Sequence, residues 1–141
     1  MLYRNIGIRN GCIVGFENGT DPEGSGTLIE AIHARWNAND GIIVAGGGTV
    51  RLSSANQNGF YGIYISGGGI AERNTAIDNE NGMGVFSGGS VVGNVLSNNL
   101  YGLLASDAVY GSNSLLNNTN DFYDGGGNVS QNNNNCNGHV C

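Results

Sequence analysis

Five asparagines, Asn37, Asn58, Asn79, Asn99 and Asn118, recur at spacings of 21, 21, 20 and 19 residues. Each is followed three or four positions later by Gly or Asp and then by a large apolar residue. A fixed repeat of this length is the mark of one supersecondary unit stacked on copies of itself, each burying its apolar side only against its neighbours. The chain is therefore read as a solenoid rather than as a globular mix of elements.

Two more columns share the register: Ile32, Ser53, Asn74, Asn94 and Asn113, and Ile13, Ala34, Ala55, Ala76, Leu96 and Leu115. After each Asn of the first column comes a short apolar stretch, at residues 41–44, 62–65, 82–85, 102–105 and, in a worn copy, 121–124. Period-two alternation assigns Ile42, Ile63, Met83, Leu103 and Phe122 to the core, with Val44, Ile65, Val85 and Ala105 beside them. It sends Ile43, Tyr64, Gly84, Leu104 and Tyr123 outward. Glycine turns follow, Gly46-Gly47-Gly48, Gly67-Gly68-Gly69 and Gly88-Gly89, where the chain must bend with positive φ. A further apolar column is read as Ile8, Ile29, Val50, Ile70, Val91 and Val109.

Stretches this short, with no i, i+3, i+4 pattern, pair strand on strand in parallel. The expected fold is all-β, a parallel β-helix of about six coils spanning residues 1–127, with a loop insertion at 19–27 and an Asn-rich tail or cap at 128–141. The asparagines have a physical reason to recur. A side-chain amide both donates and accepts, so it can bond the same position one coil away at the ~4.8 Å strand spacing. A leucine-rich repeat would show a run of leucines and a helical return segment, and calcium-binding nonapeptides would repeat every nine residues; neither pattern is present.

The stretch Ile6-Gly7-Ile8-Arg9-Asn10-Gly11-Cys12-Ile13-Val14-Gly15-Phe16, followed by Asn-x-x-(x)-Gly-Ile-x-Val repeats, resembles the parallel β-helix repeat of the pectin-lyase-like superfamily. The resemblance covers roughly residues 5 to 125 and implies a right-handed helix, here as a short or truncated member. It implies no single activity, because the superfamily holds lyases, hydrolases, uronate epimerases, tailspikes and adhesins. Members usually carry more coils and an N-terminal capping helix. This chain enters its first coil at about residue 6, so Leu2, Ile6 and Ile8 are expected at an open end that invites pairing with another chain.

At 141 residues the chain is one domain. It contains no apolar run of 18 residues, and Met1-Leu2-Tyr3-Arg4 is too short and polar to read as a secretory signal. The basic residues are Arg4, Arg9, Arg35, Arg51 and Arg73, there is no lysine, and the net charge is -6. Nucleic acid and anionic membrane are accordingly excluded as expected partners. With 23 Asn and 26 Gly, solubility rests on amides and backbone rather than on charge, a composition that slightly favours a secreted or cell-surface protein.

Candidate chemistry is sparse. Lyases of the resembled superfamily use a basic residue with calcium on acidic ligands, and its hydrolases use clustered aspartates; neither set is visible. A catalytic alternative would draw its carboxylates from Glu72, Asp78, Glu80, Asp21 and Glu23, brought within ~10 Å in a groove. Asp21-Pro22 resembles the start of the Asp-Pro-His motif of mannuronan epimerases, with Glu23 in place of the histidine. Asp21 and Glu23 are also the pair that would hold calcium, although turn chemistry explains the segment without function.

The glycine triplets lack the following helix of a phosphate cradle and are read as turns. His33 faces outward in line with Cys12 and Ser54 and reads as a surface residue. Cys136 and Cys141 are expected to close a small disulfide loop, ahead of free thiols and of a metal held with His139, which leaves Cys12 unpaired.

The outward strip of Ile43, Tyr64, Leu104 and Tyr123 is the strongest candidate surface, first as a subunit interface and second as a sugar-stacking platform. The leading expectation is a non-catalytic binding or structural module that forms a homo-oligomer and contacts carbohydrate or another chain. The alternative is a carbohydrate-active enzyme, a lyase, hydrolase or epimerase.

Overall fold

The computed structural model describes residues 6–22 and 24–141. Its first coil carries β1 (Gly7–Val14), and the second carries β2 (Leu28–Arg35) and β3 (Ile42–Val44). The third carries β4 (Thr49–Arg51), β5 (Ser54–Asn56) and β6 (Tyr61–Ser66), and the fourth β7 (Ile70–Glu72), β8 (Thr75–Ile77) and β9 (Asn81–Phe86). The fifth has β10 (Ser90–Val92), β11 (Val95–Ser97) and β12 (Tyr101–Ser106), and the sixth β13 (Val109–Gly111), β14 (Ser114–Leu116) and β15 (Asn120–Asp124). A last partial layer holds β16 (Val129–Ser130), β17 (Asn135–Cys136) and β18 (His139–Val140).

These strands make a parallel β-solenoid of about six turns. The smaller sheet is β3-β6-β9-β12-β15. The larger has two arms that meet at β2, one running β4-β7-β10-β13-β16 and the other β5-β8-β11-β14-β17-β18, with β1 paired on β2. In the first two coils the arms are one continuous strand bent at Asn10 and Ala31, both at positive φ. From the third coil on, the bend separates them into two strands.

The core is the stack of inward positions. Ala34, Ala55, Ala76, Leu96 and Leu115 lie in register and fully buried on one arm. Ile42, Ile63, Met83 and Leu103 do the same in the smaller sheet. On the other arm the register runs Ile8, Ile29, Val50, Ala71, Val91, Tyr110. This corrects the column expected from sequence: Ile70 and Val109 are 42% and 39% exposed, one residue out of step. Hydrophobicity alone preferred Ile70 over its neighbour Ala71, but pairing keeps the 21-residue step from Val50, and a slip of one would turn the whole strand inside out. At Tyr110 the buried ring stacks on Phe122, 4.7 Å between centroids.

Two asparagine ladders fix the bends. Asn58 donates its backbone N–H (2.9 Å) and its side-chain Nδ2 (3.0 Å) to Asn79 Oδ1, and Asn79 does the same to Asn99 at 2.9 and 3.2 Å. Each amide also returns a hydrogen to a carbonyl of the preceding coil, as Asn79 Nδ2 does to Ala55 O at 2.9 Å. The second ladder runs from Ser53 through Asn74, Asn94 and Asn113 to Asn134. All these side chains are buried, and the reciprocal bonds remove the cost of burying an amide.

The segment expected as a loop insertion supplies the first layer of the smaller sheet. Thr20 bridges in parallel to Ile42, and Ile43 N–H donates to Thr20 O at 2.9 Å. At the other end, residues after 127 add one more layer through β16 and β17, and β18 folds back antiparallel on β17. Asn137 and Gly138, both at positive φ, form the two-residue Asn-Gly turn that such a hairpin requires, and Cys136 is disulfide-bonded to Cys141. Leu2 lies outside the described residues, while Ile8 and Ile13 pack half-buried against the core.

Candidate functional site

The outward column of the smaller sheet is in register as Ile43, Tyr64, Gly84, Leu104 and Tyr123. The Thr20 bridge to Ile42 places Asp21 at its head, one position on. Ile43, Tyr64 and Leu104 are half-buried, and Tyr123 is 57% exposed.

Other aromatic side chains join this column. Phe60 meets Tyr61 edge-on with centroids 4.6 Å apart, Tyr61 lies 5.2 Å from Tyr64, and Tyr64 lies 5.7 Å from Phe86. Further along, Tyr101 meets Tyr123 edge-on at 6.5 Å. Gly84 makes the first cluster possible. A Cβ there would stand 2.6 Å from Tyr61 Cε1 and 2.9 Å from Phe86 Cε2, so only the bare backbone lets both rings close over it. Phe60, Tyr61, Phe86 and Tyr101 escaped the sequence reading because they sit at strand ends. Their signal was the aromatic residues that flank the stretches at 62–65, 82–85 and 102–105.

Carboxylates surround the rings. Asp40 Oδ1 accepts the Tyr61 N–H at 2.8 Å. Burial pushes the Asp40 carboxyl above the ordinary Asp value, the bond from Tyr61 pulls the other way, and the Asp21 charge adds to the rise. The Tyr61 hydroxyl is likewise raised, first by burial and then by Tyr64, Asp40 and Glu80. Glu80 immediately precedes β9, and Asp121 and Asp124 lie in β15. The described arginines all belong to the larger sheet: Arg9 in β1, Arg35 in β2, Arg51 in β4, and Arg73 between β7 and β8. The smaller sheet thus pairs an aromatic surface with acceptors and carries no described cation.

The carboxylates named for a catalytic alternative are dispersed over different elements. Glu72 is in β7 on the larger sheet, where Arg9, Glu30, Arg51 and Glu72 form one column of alternating charge. Arg9 Nε is 3.2 Å from Glu30, and Arg51 is 2.9 Å from Glu30 and 3.9 Å from Glu72. That column repeats every 21 residues and was legible in the sequence. Asp78, at positive φ, and Glu80 flank the ladder residue Asn79 and are exposed. Asp21 is exposed at the head of the strip, and Glu23 lies outside the described residues. Among the described residues no three His, Cys, Asp or Glu side chains gather to hold a metal ion.

His33 does align with Cys12 and Ser54. Its Nδ1 is 2.6 Å from Ser54 Oγ, in a shallow groove of about 310 Å³ that Arg35 and Asn56 complete. Among the described residues no carboxylate is hydrogen-bonded to the imidazole, so they do not supply the third member that a nucleophile and base need.

Compared with protein-family models, with curated proteins and with solved structures, the chain matches none.

Proposed function

We propose that this chain is a non-catalytic binding module, a short right-handed β-helix related to the pectin-lyase-like superfamily, whose smaller sheet presents its outer face to carbohydrate. The observation that carries this reading is the unbroken run of rings from Phe60 through Tyr61 and Tyr64 to Phe86, held on a rigid parallel sheet. Aromatic faces pack against the apolar faces of pyranose rings, while nearby carboxylates and amides accept from sugar hydroxyls. A contiguous, partly exposed aromatic strip of this kind calls for an occupant, and its acid rim disfavours a second copy of the same face, which would bring Asp21, Asp40 and Glu80 against like charges.

The test is retention on a panel of immobilised glycans by the wild-type protein, Tyr64→Ala and Phe86→Ala, with folding checked by circular dichroism. The wild type is expected to bind, and each variant to bind roughly tenfold more weakly, the order of one aromatic contact. No binding by the wild type, or unchanged binding by both variants, would overturn the reading.

Self-association is a second reading, favoured by a different observation. Among the described residues β1 pairs with β2 alone, so its far edge offers backbone donors and acceptors beside half-buried Ile8 and Ile13 and exposed Val14. Light scattering over a concentration series would show a homo-oligomer that survives Tyr64→Asp with Leu104→Asp; a monomer at every concentration would rule this out.

A further inference from the structure

Resting on the carbohydrate-binding reading, we infer that the outer face of the smaller sheet takes a saccharide with protonated amino groups, a glucosamine-type chain whose rings lie on Tyr61, Tyr64 and Phe86 while its ammonium groups turn toward Asp21, Asp40 and Glu80. The acids and the rings together fill the first four layers. Asp21 belongs to the first coil, Asp40 to the second, and Glu80 to the fourth, with Tyr61 and Tyr64 on the third between them. Layers advance by ~4.8 Å, comparable to one residue of a linear pyranose chain, so a chain laid along the solenoid axis meets ring and carboxylate in turn.

Charge complementarity selects the cation. The described arginines lie on the larger sheet, where Arg9 and Arg51 are engaged by Glu30 and Glu72. No described basic side chain offsets the field over the rings, while Asp121 and Asp124 extend it to the far end of the sheet. The net charge of -6 acts in the same direction. A polyuronate is repelled from such a face, and a neutral glycan keeps only stacking and hydrogen bonds. An ammonium adds an ion pair with Asp40, whose other oxygen contact is the Tyr61 amide. Asp21 and Glu80 are solvent-exposed, so added salt screens the pairing and weakens it.

The experiment is calorimetric titration, at a pH where the sugar amines are protonated, with a fully deacetylated glucosamine oligomer, its N-acetylated counterpart of equal length, and an oligogalacturonate. The glucosamine oligomer is expected to bind about fivefold tighter than the acetylated one, the worth of one partly exposed ion pair. The advantage should shrink with salt and vanish in Asp21→Asn combined with Asp40→Asn and Glu80→Gln, changes that keep an acceptor for the Tyr61 amide. Tyr64→Ala should weaken both amino and acetylated oligomers alike. Equal binding of the two, lost in Tyr64→Ala, would leave the carbohydrate face standing and sink the cationic preference. Preference for the oligogalacturonate would sink it as well, and no binding of any oligomer would overturn both readings.

Discussion

At the scale of single residues, one side chain does two jobs in this molecule. A ladder asparagine such as Asn79 accepts the backbone N–H and the side-chain amide of Asn58 before it and sends its own Nδ2 to the Ala55 carbonyl of an earlier coil. Asn79→Ala would leave the Asn58 N–H and the Ala55 carbonyl buried without these partners. At about 1–3 kcal/mol for each orphaned group, the variant is expected to lose several kcal/mol in denaturant unfolding. Exposed Asn39→Ala is the control and should change little.

Asp40 shows the opposite economy. Its folded carboxyl titrates above its ordinary value of 3.8, chiefly because it is buried. Its contribution to stability is therefore fully present below 3.8 and is lost as pH rises through the folded value. Asp40→Asn should raise the urea midpoint at neutral pH, with the gain fading as the buffer is taken below 3.8. A neutral-pH penalty retained beside an aromatic surface is what a binding group would impose.

At the scale of elements, strands of mostly three to six residues owe their register to the column of residues above and below rather than to local propensity. That is why the period in Asn37, Asn58, Asn79, Asn99 and Asn118 was enough to place the strands, the ladders and the outward strip. It is also why the sequence failed where local hydrophobicity and register disagreed, at Ile70 against Ala71 and Val109 against Tyr110. The ends were harder to read for the same reason, since the Thr20 bridge and the residues after 127 make only partial layers. Asn134 continues the second ladder 21 residues after Asn113, and Asn137-Gly138 was a hairpin signal in plain view.

The C-terminal hairpin is tied to the last rung of the second ladder, because Asn134 Nδ2 donates to the Cys141 carbonyl at 3.3 Å. Opening the bridge with Cys136→Ser and Cys141→Ser removes a short crosslink worth about 2 kcal/mol in the chain-entropy account. A melting curve that falls on reduction of the wild type, but not of the double variant, is the expected result.

At the scale of the whole molecule the two sheets differ in kind. The larger carries the described arginines, neutralised in part along the Arg9, Glu30, Arg51 and Glu72 column, and ends in a bonded hairpin. The smaller carries the rings and a carboxylate rim. The site was only partly legible in sequence: alternation revealed Ile43, Tyr64, Leu104 and Tyr123, but the rings that complete the surface come from strand ends, and Asp40 joins them through a backbone bond to Tyr61 one coil away. No spacing rule announces such a contact.

The most direct measurement is an amide NMR titration of the labelled protein with a soluble oligosaccharide retained in the glycan panel. The account predicts shifts concentrated on β6, β9 and β12, around Tyr61, Tyr64, Gly84, Phe86 and Leu104, with the larger sheet silent. Shifts centred on β1, on the His33 groove or on the Arg9 to Glu72 column would contradict it.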